Sequence, residues 1–161
     1  MKTIVSKVIT AMFIVTFISI QNVASQSYNT QKSTLVNFIS RMYEKEPFEG
    51  VKIVEDYDYS YIIVAIMLDT QKYNSDSILN RVASTKAMNE LNRFMNGSTL
   101  SYDIIIRTTD DNNVADNQEI IEHIREQSVG HVQSLEQLTN FPYKKQVGWQ
   151  VFIFYKQIMQ N

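Results

Sequence analysis

Tyr59 to Leu68 (YSYIIVAIML) is an almost unbroken apolar run of ten residues, and it limits the fold more than any other part of the chain. A short, β-branched run of this kind reads as a strand. A strand with one wet face alternates apolar and polar residues, whereas one covered on both faces does not. The run therefore calls for a sheet with cover on both sides.

The neighbouring segments supply partners for it. Val51 to Val54 is a short β-rich stretch, and Glu55-Asp56-Tyr57-Asp58 reads as a turn, so the two strands form a hairpin. Thr99 to Thr109 alternates, with Leu100, Tyr102, Ile104, Ile106 and Thr108 on a buried face and Ser101, Asp103 and Arg107 on a wet one. Val147 to Ile158 is a further strand, with Val147, Trp149, Val151, Ile153 and Tyr155 on one face. Val129 to Thr139 leaves helix and strand open; a hairpin with the strand that follows, through a turn at Asn140 to Tyr143, favours strand.

Two segments have helical spacing. Leu35, Phe38, Ile39 and Met42 form one stripe, with Ser33 as the expected N-cap, a loose polar stretch from Gln26 to Lys32 before it and Pro47 as the stop. Leu79, Ala83, Ala87, Leu91 and Met95 step by four, widened by Val82, Met88 and Phe94. Asn74 and Ser75 offer the cap, and Asp76 suits the positive end of the helix dipole. Asn96-Gly97 ends this helix, because glycine adopts the left-handed conformation without steric cost. Asn96-Gly97-Ser98 is also a formal glycosylation sequon, but the helix stop is the simpler role. Glu119 to Glu126 reads as a short helix on Ile120, Ile121 and Ile124, after an acidic loop from Asp110 to Gln118.

The expected fold is a two-layer α+β domain: a mostly antiparallel sheet of about five strands, one long helix on one face and a shorter N-terminal helix. It spans residues 26–161 as a single domain, with no internal repeat or linker.

Residues 1–25 have the order of a secretory signal peptide. Lys2 and Lys7 are basic, Val8 to Ile20 is apolar and uncharged, and Val23-Ala24-Ser25 ends in small residues. The apolar run of 13 residues is shorter than the roughly 20 of a spanning helix. Cleavage is expected between Ser25 and Gln26, leaving 136 of the 161 residues and no membrane span. It removes Lys2 and Lys7 and takes the net charge from −2 to −4.

Cysteine is absent, which excludes disulfides, thiolate metal sites and thiol chemistry. An exported, cysteine-free domain fits a bacterial envelope, in the periplasm or outside the cell. The basic residues are scattered, so there is no nucleic-acid footprint.

Catalytic signatures are weak. With Asp111 as position 1 of a calcium loop, Asn113 falls at 3 and Glu122 at 12, but Ala115 and Asp116 break positions 5 and 6. His123 and His131 are eight apart across a glycine, not at the i, i+4 spacing that puts two ligands on one helical face. No serine lies in a G-x-S-x-G elbow. Glu44 with Glu46, and Asp56 with Asp58, read as surface charges in turn regions rather than an acid/base pair. No cofactor or metal is implied. Tyr57, Tyr59 and Tyr61 share one strand parity; such a row either stacks a sugar or peptide, or caps the edge of the core with wet hydroxyls.

The second half has a pattern of its own: Ala83-Ser-Thr-Lys86-Ala87…Leu91…Phe94…Gly97 before a strand, Ser128-Val-Gly130, then Trp149-Gln-Val-Phe-Ile-Phe-Tyr-Lys156. Over residues 51–158 this resembles the twenty-kilodalton outer-membrane lipoprotein family of small bacterial envelope proteins. The resemblance implies a surface-assembly accessory role and no catalytic residues. The chain has no cysteine to carry that family's lipid anchor.

The expected function is therefore a non-catalytic exported interaction or assembly module, with another envelope protein as partner. A carbohydrate- or peptide-binding module using the tyrosine hairpin is the alternative, and a small hydrolase centred on His123 or His131 the second.

Overall fold

The computed structural model describes residues 30–56, 59–97, 105–107, 117–128 and 135–159. The chain divides into two compact units, Met1–Pro47 and Phe48–Asn161.

In the first unit, residues 30–45 are helical (α1). Leu35, Ile39 and Tyr43 are buried at four-residue steps, and Phe38 and Met42 are half-buried beside them. The expected cap is corrected here. Ser33 lies inside α1, and the helix already includes residue 30, where the Thr34 hydroxyl donates to the Thr30 carbonyl at 3.0 Å. Gln31 and Lys32 are good helix formers, so the helix continues upstream through them. The Glu46 N–H still reaches the Met42 carbonyl at 2.9 Å, and Pro47 follows at once.

The second unit holds a five-stranded sheet. Its strands are β1 (Gly50–Glu55), β2 (Tyr59–Asp69), β3 (Ile105–Arg107), β4 (Glu136–Pro142) and β5 (Trp149–Met159), in the order β3-β1-β2-β5-β4. The apolar run is the central strand. β2 pairs antiparallel with β1 and, along its whole length, with β5. Ile62, Val64, Ile66 and Leu68 point to one face, and Tyr61, Ile63 and Ala65 to the other, and all are buried. That two-sided burial is why the run shows no alternation.

Helices α2 (Asp76–Met95) and α3 (Asn117–Ser128) complete the unit. Leu79, Ala83, Ala87, Leu91 and Phe94 of α2 join Ile53, Ile62, Val64, Ile66, Phe152 and Phe154 of the sheet in one core. α3 adds Ile121 and Ile124 to the same core, so two helices share that face. Ser75 caps α2, its hydroxyl accepting from the Ile78 N–H at 3.3 Å; such caps are worth about 1 kcal/mol. At the other end Gly97 has φ 72°, the left-handed conformation expected of the helix stop.

A bond between elements fastens that end. Arg125 of α3 donates from Nε to the Phe94 carbonyl at 2.8 Å, and its guanidinium lies 4.8 Å from the centre of the Phe94 ring. A cation thus meets the last turn of α2, the negative end of its dipole, and adds a charged donor to a carbonyl that the Gly97 N–H also reaches, at 3.1 Å.

Three expectations are revised. β3, described only over Ile105–Arg107, runs parallel to β1, with Ile53 opposite Ile105. Ile105, not the Ile106 parity, faces the core beneath α2, and both residues are half-buried. Two adjacent isoleucines leave alternation undecided, and the register with β1 decides it. The rest of 99–109 lies outside the described residues.

β4 occupies Glu136–Pro142, so Asn140, Phe141 and Pro142 are strand and not turn. An edge strand tolerates a proline because it does not need every N–H for the ladder. A register shift between Gln137 and Thr139 marks a bulge. The turn falls at 143–148 and closes on Gly148 at φ 82°. Val147 sits in it at 99% exposure rather than on a strand face.

α3 also takes in Asn117 and Gln118 from the expected acidic loop. The remainder of that loop, with Asp111, Asn113, Ala115 and Asp116, is outside the described residues.

Candidate functional site

The tyrosine hairpin lies at the β1–β2 turn. The Asp56 N–H donates to the Tyr59 carbonyl at 2.9 Å and closes it. Tyr59 and Tyr61, two apart on β2, project to the same face, with ring centres 6.4 Å apart and planes at 51°. The strand brings the two rings together but does not expose them equally. Tyr59 is half-buried and Tyr61 is 8% exposed, flanked by Val54 and Gln157 on the adjacent strands. A ring that packed leaves Tyr59 as the accessible stacking surface. Tyr57 lies outside the described residues.

Burial pushes the Tyr61 phenol above its ordinary pKa of 10.0, and the Asp56 carboxylate and Tyr59 add to the rise. The neutral phenol is thus the form the fold holds. Above pH 10 the unfolded chain loses this proton first, so folding stability falls as pH rises from there through the folded-state pKa. A spectrophotometric titration of Tyr61→Phe is expected to lose one late-ionising tyrosine and to flatten the alkaline fall in stability. A titration superimposable on the parent's contradicts this assignment.

His123 is on an exposed flank of α3, beside exposed Glu122 and away from buried Ile121 and Ile124. His131 is outside the described residues, as is Asp58. Glu44, Glu46 and Asp56 are exposed. Among the described residues, no group of three or more His, Cys, Asp or Glu is placed to hold a metal. No described helix is long and apolar enough to cross a membrane.

The sequence reading missed the outer face of α2. There Ile78, Arg81, Val82, Thr85 and Lys86 line an open groove of about 260 Å³. Ile78 is 40% exposed, and with Val147 it makes up the exposed large hydrophobic side chains among the described residues. At 100° per residue, Ile78, Val82 and Thr85 form a row with Arg81 on one flank and Lys86 on the other. Thr85 turns its hydroxyl inward, donating to the Arg81 carbonyl at 2.9 Å. Glu90, four residues after Lys86, is held by Arg93 at 3.0 Å. The signal was present in the sequence: residues 77–89 carry two cations and no carboxylate.

Arg125 was missed as well. It lies four residues after Ile121 and so on the apolar side of α3, where a charge needs a partner.

No known family model matches this chain, and neither does a curated protein or a solved structure.

Proposed function

We propose that the chain is an exported, non-catalytic interaction or assembly module of a bacterial envelope, with another envelope protein as its partner. The N-terminal order of basic, apolar and small residues carries the export half of this reading. Exposed Ile78, beside half-buried Val82 and between two cations on α2, supports the interaction half, since an apolar contact with a polar rim is how a modest docking surface is built. The resemblance to the twenty-kilodalton outer-membrane lipoprotein family points the same way, although the chain has no cysteine for a lipid anchor.

The experiment is the intact mass of the full chain expressed in a bacterium with a periplasm and recovered by osmotic shock. The reading expects a product that begins at Gln26. A full-length chain retained in the cell overturns it.

A second reading, a carbohydrate or peptide ligand at the tyrosine hairpin, is favoured by the adjacent rings of Tyr59 and Tyr61. It expects peptidoglycan fragments to quench tyrosine fluorescence, and expects Tyr59→Ala to abolish the quenching.

A further inference from the structure

We propose that the outer face of α2 docks an acidic segment of a partner protein, one aliphatic side chain seating on Ile78 and Val82 between carboxylates that meet Arg81 and Lys86. This rests on the interaction-module reading and names the chemistry of the partner.

Three observations carry it. The first is the apolar contact: Ile78 is 40% exposed on a helix whose other large apolar residues are buried or half-buried. The second is size. A groove of about 260 Å³ is below the roughly 300–1,000 Å³ of small-molecule pockets, and it suits a single side chain laid along a helix. The third is charge. Arg81 and Lys86 are exposed and flank the row on opposite sides, and among the described residues neither makes an ion pair. The Arg81 guanidinium offers a planar fork to a carboxylate, and the Lys86 ammonium offers a compact charge that tolerates varied geometry.

The same charges argue against an anionic membrane or nucleic acid. The whole chain has a net charge of −2, so an extended anionic surface is repelled at long range. Two local cations are too few to reverse that. A short acidic segment meets the two cations and little of the remaining surface. The contact is rim-like and solvated, so binding weakens steeply with salt.

The test uses the isolated protein and three fluorescein-labelled peptides of equal length, built on Glu-Leu-Glu, Gln-Leu-Gln and Lys-Leu-Lys, read by anisotropy. The Glu peptide is expected to bind at least tenfold more tightly than the Gln peptide, and the Lys peptide not at all. Ile78→Ser, and separately the double variant Arg81→Glu with Lys86→Glu, are each expected to weaken the Glu peptide tenfold or more. The charge-reversed variant is expected to gain the Lys peptide. All three side chains are solvent-facing, so the variants keep the parent's circular dichroism.

Glu-peptide binding that these variants leave unchanged overturns the proposal. So does the absence of peptide binding together with variant-sensitive binding to vesicles containing phosphatidylglycerol, which places a membrane on this face instead. The export reading fails separately: peptide binding by a chain that is never exported leaves the docking site standing and removes the compartment.

Discussion

Replacing Phe94 with alanine lowers the stability of the folded chain by about 3–5 kcal/mol, the usual cost of emptying a fully buried aromatic site. Phe94 is 0% exposed and heads the largest fully buried side chains. It stands in the last turn of α2 and belongs to the core that this helix shares with the sheet and α3. Its ring also carries the Arg125 guanidinium at 4.8 Å. Removing the ring leaves a cavity and takes away the surface on which that cation rests. Domains of this size are stable by about 5–15 kcal/mol, so the variant is left near the limit of folding. Urea unfolding followed by circular dichroism measures the loss as a lower midpoint. Phe94→Leu keeps most of the volume and is expected to lose clearly less. Equal losses for the two variants contradict a packing role for the ring.

The opposite error, overfilling, is expected to be costly at Ala87. Ala83 and Ala87 are both 0% exposed and bring the backbone of α2 close to the sheet. Ala87→Leu inserts three carbons into that contact and is expected to destabilise by about 1–3 kcal/mol. The size of the effect separates burial from helix propensity, because leucine is nearly as good a helix former as alanine. The same substitution at exposed Thr85, on the outer face, is expected to change stability little. A neutral Ala87→Leu result means that α2 stands off the sheet.

The fold was legible where one physical cause dominates. β2 shows in the sequence because burial on both faces removes polar residues from it, and α2 shows because its four-residue steps match one buried stripe. Both ends of α2 were also readable, from Ser75 and Gly97. Edge strands were harder. Pro142 looks like a turn residue, yet an edge accommodates it, and the turn itself is carried by Gly148. Ile105 and Ile106 are both apolar, so their facing depends on the register with β1, which no local pattern encodes.

The candidate site was less legible for a different reason. Tyr59 and Tyr61 were found together, but their unequal burial depends on the strands beside them. Ile78 adjoins the stripe of Leu79, Ala83, Ala87 and Leu91 in sequence, and its exposure follows only from the direction in which that stripe faces. Arg125 stands on the apolar side of α3, but its partner at Phe94 lies on another helix and no local pattern names it.

β2 is the centre of a sheet buried on both sides, so its own apolar side chains offer no contact to a partner. Amide hydrogen exchange on the folded protein tests this directly. Amides of Ile62 to Ile66, with Phe152 to Phe154 of β5, are expected to exchange most slowly of all, at the rate of global unfolding, while those of edge strand β4 exchange faster. Protection along β2 no greater than along β4 contradicts it.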